Sequence, residues 1–82
     1  MGNTTLRYEL ELKDNKLIVH HSEITDTAIY DVCDVDGKIL ITGFLENQSS
    51  FTEIELNEIA KRNYQFFIVE EGNIFKTSFS YN

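Results

Sequence analysis

The chain predicts an all-β domain built from two antiparallel sheets, and three observations carry that prediction. The stretch from Ala28 to Thr42 reads strand, tight turn, strand: Ala28-Ile29-Tyr30-Asp31-Val32-Cys33, then Asp34-Val35-Asp36-Gly37, then Lys38-Ile39-Leu40-Ile41-Thr42. Asp-Gly between β-formers is a strong hairpin signal, because Gly takes the positive φ that a tight turn demands. Short β-rich runs then alternate with polar turns from one end to the other. Finally, 82 residues hold one hydrophobic core and leave no room for a second, so residues 1–82 are expected to form one domain.

The strands follow in order. Thr5 to Lys13 alternates, with Leu6, Tyr8, Leu10 and Leu12 on one side and Arg7, Glu9, Glu11 and Lys13 on the other; this is a strand with one wet face. Asp14-Asn15 is a turn, since both side chains bond local backbone and tolerate left-handed φ. Lys16 to His21 is the return strand, and Ser22 to Thr27 a polar loop. Ala28 to Cys33 and Lys38 to Leu45 are the arms of the Asp-Gly hairpin, the second carrying Gly43 as the mark of a bulge or bend. Asn47 to Ser50 is a loop. Phe51 to Leu56 alternates again, with Thr52, Ile54 and Leu56 inward and Glu53 and Glu55 outward. Asn57 to Arg62 departs from the strand pattern; Asn57 can cap at most one helical turn. Asn63 to Glu70 is apolar on both faces (Tyr64, Phe66 and Ile68; Phe67 and Val69) and belongs in the centre of a sheet. Glu70 to Asn73 is a turn, and Ile74 to Tyr81 the last strand. Seven strands at this spacing predict a Greek-key, immunoglobulin-like sandwich. The expected core contains Leu10, Val19, Ile54, Leu56, Tyr64, Phe66 and Ile68, and the ten aromatic residues are expected to supply most of its buried area. With no proline in the chain, charge must guard the sheet edges: Arg7, Glu9, Glu11 and Lys13 on the first strand, Lys76 on the last.

Composition narrows function by exclusion. The net charge of −7 opposes direct nucleic-acid binding, which needs a basic face, and docking on an anionic membrane. It suits solubility or a basic partner surface. No apolar run approaches the roughly 18–20 residues that cross a membrane, and no N-terminal apolar segment reads as a signal peptide. The lone Cys33 excludes an internal disulfide and reads as a buried or half-buried strand residue.

Three clusters invite chemistry, and each has a simpler explanation. His20-His21 with Glu23 and Asp26 has metal-ligand composition, but neighbouring strand residues point to opposite faces; one histidine is expected on the wet face and the other near the sheet edge. Asp31, Asp34 and Asp36 before Gly37 resemble a calcium loop, but Val32 and Val35 interrupt the required alternation. Glu53/Glu55 are spaced as a solvated strand face, and Glu70/Glu71 sit in a turn. No catalytic triad or paired-carboxylate site is expected, no metal and no cofactor.

A family resemblance appears along residues 16–82. Leu17-Ile18-Val19, then Ile29-Tyr30-Asp31 leading into Asp36-Gly37-Lys38-Ile39, resembles the core of the C-terminal sorting domains of the Bacteroidetes type IX secretion system. Leu56-Asn57-Glu58-Ile59-Ala60 followed by Asn63-Tyr64-Gln65-Phe66-Phe67-Ile68, and the closing Glu71-Gly72-Asn73-Ile74-Phe75-Lys76, resemble the second half of that family. Small periplasmic sandwich proteins of the same phylum are similar too. The chain departs from the pattern in having Asn63 where the family has Gly, in lacking the opening proline-rich motif, and in a basic tail reduced to Lys76. The resemblance implies a secreted or surface-bound recognition module, a monomer or weak dimer, read by outer-membrane export machinery. It marks Tyr30, Asp36, Gly37, Lys38, Asn63, Tyr64, Gly72 and Lys76 as recognition-motif residues. The alternative is a free-standing, cytoplasmic acidic protein that inhibits a partner by covering its basic, nucleic-acid-binding surface.

Overall fold

Residues 8–22 and 27–82 are described by the computed structural model. Among them run seven strands: β1 (Glu9–Lys13), β2 (Lys16–His20), β3 (Ala28–Cys33), β4 (Ile39–Phe44), β5 (Phe51–Glu55), β6 (Asn63–Glu70) and β7 (Asn73–Ser80). They form two antiparallel sheets, one ordered β1-β2-β5 and the other β4-β3-β6-β7. The chain changes sheet after β2, after β4 and after β5.

The turns set the registers. Asp14 takes the left-handed φ of 57° between β1 and β2, which pair from Lys13 with Lys16 outward to Glu9 with His20. Glu71 and Gly72 both have positive φ between β6 and β7, as a type I′ turn requires. No helix forms at Asn57–Arg62. That segment is held instead by a bond from the Ile59 amide to the Leu56 carbonyl at 3.3 Å and by the Tyr64 hydroxyl, which donates to the Ala60 carbonyl.

One core lies between the sheets. Leu17, Val19, Ile54 and Leu56 meet Ala28, Val32, Tyr64, Phe66 and Ile68 in a single buried cluster. The inward alternation of Thr52, Ile54 and Leu56 is as expected, and so is burial of Val19, Tyr64, Phe66 and Ile68. Leu10 is only half-buried and Leu12 is exposed, because β1 is the edge of the three-stranded sheet. Leu6 and Arg7 lie outside the described residues. The aromatic residues do not dominate the core: Tyr64, Phe66 and Tyr81 are buried, while Phe44 and Phe51 face solvent.

One further expectation is corrected, and one residue does more than its turn requires. Gly43 marks no bulge; it pairs with Tyr30 across β3–β4, and the register slips instead between Val32 and Cys33, where Leu40 is the extra residue. Gly43 is needed for a different reason: a Cβ there would sit 2.6 Å from the Tyr30 hydroxyl oxygen. The Tyr30 ring lies over the glycine and stacks on Phe66, 6.2 Å between centroids. Glu70 opens the turn expected over Glu70 to Asn73, pairing with Asn73 across the two-residue loop. It ends β6, is buried, and accepts a 2.6 Å hydrogen bond from the Tyr8 hydroxyl.

Candidate recognition site

The recognition-motif residues can now be placed. In the β3–β4 turn Gly37 has φ 90°, and its amide donates to the Asp34 carbonyl at 3.0 Å. The Asp34 carboxylate accepts from the amides of Asp36 and Lys38, both at 2.9 Å. This carboxylate is committed to the backbone, and the cluster Asp31, Asp34 and Asp36 is organised as a turn. Asp34 is not among the eight motif residues, although an Asp whose side chain caps amides two and four residues on is a known turn device.

Beside this turn, Asp34, Lys38, Glu58, Arg62 and Tyr64 line a shallow hollow. Asn63 opens β6 and accepts a 2.7 Å bond from the Ser80 hydroxyl. Asp36, Gly37, Lys38, Asn63 and Tyr64 therefore gather at one end of the four-stranded sheet. Gly72 lies at the other end, beyond the pairing of Ala28 with Glu70. Tyr30 points inward. Lys76 lies on the open face with its ammonium 5.7 Å from the Phe67 ring centroid. The eight residues do not form one patch.

The two histidines point to opposite faces. His20 is exposed and its Nε2 lies 3.0 Å from the Glu11 carboxylate. His21 is buried, not at an edge. Its Nδ1 must carry a proton, because its partner 2.9 Å away is the Ser22 carbonyl. Its Nε2 then accepts from Thr52 Oγ1 at 2.8 Å, and Thr52 in turn accepts from the Glu46 amide at 2.9 Å. Each group is used once, which is how a buried polar chain is satisfied. Glu23 and Asp26 lie outside the described residues. Among the described residues no three His, Cys, Asp or Glu side chains are grouped as a metal ion requires, and no helix is long and apolar enough to cross a membrane.

Burial shifts three groups. The Cys33 thiol is pushed up by burial and then by the carboxylates of Asp31 and Asp34, which leaves it a poor nucleophile. Tyr30 is raised by burial and then by the Glu46 charge. Tyr8 is raised by burial, by its bond to Glu70 and by the Glu70 charge. A folded-state pKa above the unfolded value of about 10 means that these tyrosines contribute stability fully below that pH and lose it as pH rises further. Chemical denaturation midpoints should therefore fall as pH rises above about 10, and Tyr8→Phe should flatten that fall. Parallel pH profiles for the two proteins would refute the assignment to Tyr8.

The feature that motif reading missed lies on the outer face of the four-stranded sheet. Phe44, Ile29, Val69 and Ile74 are directly opposite one another across β4, β3, β6 and β7. They are 66%, 40%, 39% and 68% exposed. Together they make one apolar row running from edge to edge. Two-faced hydrophobicity does place β6 inside its sheet, between β3 and β7, but its second face looks to solvent. The outer face of the other sheet is different: Ile18 is ringed by charge, with the Lys16 ammonium 3.5 Å from Glu53 and 3.8 Å from Glu55.

In comparison with known proteins, no family model matches the chain and no curated protein matches it.

Proposed function

We propose that the chain is a non-catalytic recognition module, engaged by a protein partner on the open face of its four-stranded sheet. The observation that carries this reading is the row Phe44-Ile29-Val69-Ile74, because an apolar surface continuous across four strands is characteristic of interaction sites. The sheet order, the three changes of sheet and the Tyr64 hydroxyl bonded back to Ala60 support a Greek-key, immunoglobulin-like frame; a tyrosine so placed at the start of the sixth strand is a recurrent corner device of such sandwiches. The partner we infer from the resembling motifs is type IX export machinery, which would read the module at the cell surface side of the periplasm. The acidic-inhibitor reading has only the net charge of −7 behind it.

The test is a fusion of residues 1–82 behind an exported reporter in a type IX-competent cell. The reporter should reach the outside. Val69→Ser with Ile74→Ser should retain it while leaving far-ultraviolet circular dichroism unchanged, because both side chains are solvent-facing. Removing residues 74–82 is a weaker test, since β7 pairs with β6 along its whole length and its loss disrupts the fold. Retention of the unaltered fusion in the periplasm, together with salt-sensitive binding to a basic protein, would reject the sorting reading in favour of the inhibitor.

A further inference from the structure

We infer that a second copy of this chain covers the open face of the four-stranded sheet in the free protein, the two sheets packing face to face about a two-fold axis that runs along the strands between β3 and β6. The inference rests on the reading of that face as an interaction surface and names its occupant when no other partner is bound. A two-fold interface must be self-complementary, since each patch meets its own copy. The open face meets that demand in two adjacent rows. One is the apolar row Phe44-Ile29-Val69-Ile74. The next is Thr42-Asp31-Phe67-Lys76, whose members are likewise directly opposite one another across β4, β3, β6 and β7. This second row carries one carboxylate and one ammonium, and neither Asp31 nor Lys76 has an ion-pair partner among the described residues. Asp31 is half-buried, so its carboxylate has given up hydration with no cation in return.

The direction of the axis decides the pairing. Rotation about the strand direction exchanges β4 with β7 and β3 with β6 and keeps each row over itself. Phe44 then meets Ile74 of the second copy, Ile29 meets Val69, and Asp31 meets Phe67. Lys76 stands one strand beyond Phe67, and its ammonium lies over the Phe67 ring, 5.7 Å from the centroid. Asp31 is therefore met by an aromatic ring with a cation already placed on it, and the symmetry supplies that contact twice. Opposite charges so matched fix the register of an interface. An axis along the rows would instead set Phe44 on Phe44 and Ile74 on Ile74. It would also carry the Asp31-Lys76 rows of the two copies to opposite sides of the seam and leave both charges unmatched. Sheets packed face to face keep their strands within about 30° of each other, which leaves the facing residues in reach. The other sheet offers no such surface, because Lys16 on its outer face is already matched within the chain by Glu53 and Glu55.

Four strands at about 4.8 Å each, about six residues long at about 3.3 Å a residue, make a face of roughly 400 Å². Two such faces bury less than the roughly 1,200 Å² of a standard interface, so association belongs at high protein concentration. Sedimentation equilibrium of the full chain at about 0.15 M salt, where charges are screened beyond about 8 Å, should show a monomer–dimer equilibrium between micromolar and millimolar protein. Val69→Ser with Ile74→Ser should abolish it. Lys76→Glu, which sets an acid beside Asp31, should weaken it several-fold, and adding Asp31→Lys should restore it. In an equimolar mixture of Phe44→Cys and Ile74→Cys proteins, mild oxidation should link unlike copies faster than like ones. A monomer at millimolar concentration, a charge swap that restores nothing, or faster linking of like copies would overturn the proposal. These readouts need no export, so a monomer strikes the dimer even where the reporter fusion leaves the cell, and the dimer stands even where the fusion is retained.

Discussion

Phe66→Ala should lower the melting temperature by about 15–30 °C, the shift expected in a domain of this size for a loss of about 3–5 kcal/mol. Phe66 is fully buried, in the middle of the central strand β6, between Val32 of β3 and Thr77 of β7. Its ring is also the platform on which Tyr30 stacks. Truncation removes transferred apolar area and leaves a cavity that neighbours from both sheets cannot all relax into. A chain this short holds only about 5–10 kcal/mol in total, so the variant should be partly unfolded at body temperature. Phe44→Ala, at an exposed position of the same sheet, should shift the midpoint little at micromolar protein. Thermal melts of the two variants side by side check the prediction; a Phe66→Ala protein that melts within a few degrees of the parent would mean that β6 presents its other face to the core.

Gly43→Val should be destabilising although valine is the better strand former. Replacing Gly in a strand gains about 0.5–1 kcal/mol of backbone and propensity terms. Against this stands the Tyr30 ring, with its hydroxyl oxygen 2.6 Å and its Cζ 2.7 Å from the position a Cβ would take. Tilting the ring away disturbs its stacking on Phe66, and overpacking of this kind costs about 1–3 kcal/mol. The net loss should be about 1–2 kcal/mol in denaturant titrations. The double variant with Tyr30→Ala should be less unstable than the sum of the two single changes by about 0.5–3 kcal/mol, the range for residues in direct contact. Additive effects would show that the ring and the glycine do not constrain each other.

The sequence made the strands legible because their apolar residues recur at the two-residue period of a pleated chain. β3 and β6 run over the residues expected of them, and the Asp14 and Gly37 turns take the positive φ that their residue types allow. Which sheet a strand joins was not legible, since the period reports a buried face and says nothing about the neighbour that buries it. For the same reason the open face of the four-stranded sheet went unread: Val69 and Ile74 look like core residues until the strand opposite them is known. The turn at Glu70 to Asn73 was legible from its Glu-Glu-Gly composition, but the burial of the Glu70 carboxylate was not, because it depends on Tyr8, far away in sequence. The histidine pair shows the converse. Strand geometry alone separates His20 from His21, but only the tertiary position of Thr52 shows which of the two is buried.

The two tyrosine hydroxyls that tie the chain's extremities to distant strands carry a kinetic consequence. Tyr8 reaches Glu70 across 62 positions of sequence, and Tyr81 reaches the side chain of Asn15 across 66. Contacts of such separation form late, because the loop-closure entropy must be lost before the contacts reward it. During synthesis the first hairpin therefore emerges long before either of its partners exists. Until residue 81 has been made, the turn between β1 and β2 lacks the hydroxyl from which the Asn15 side chain accepts a bond.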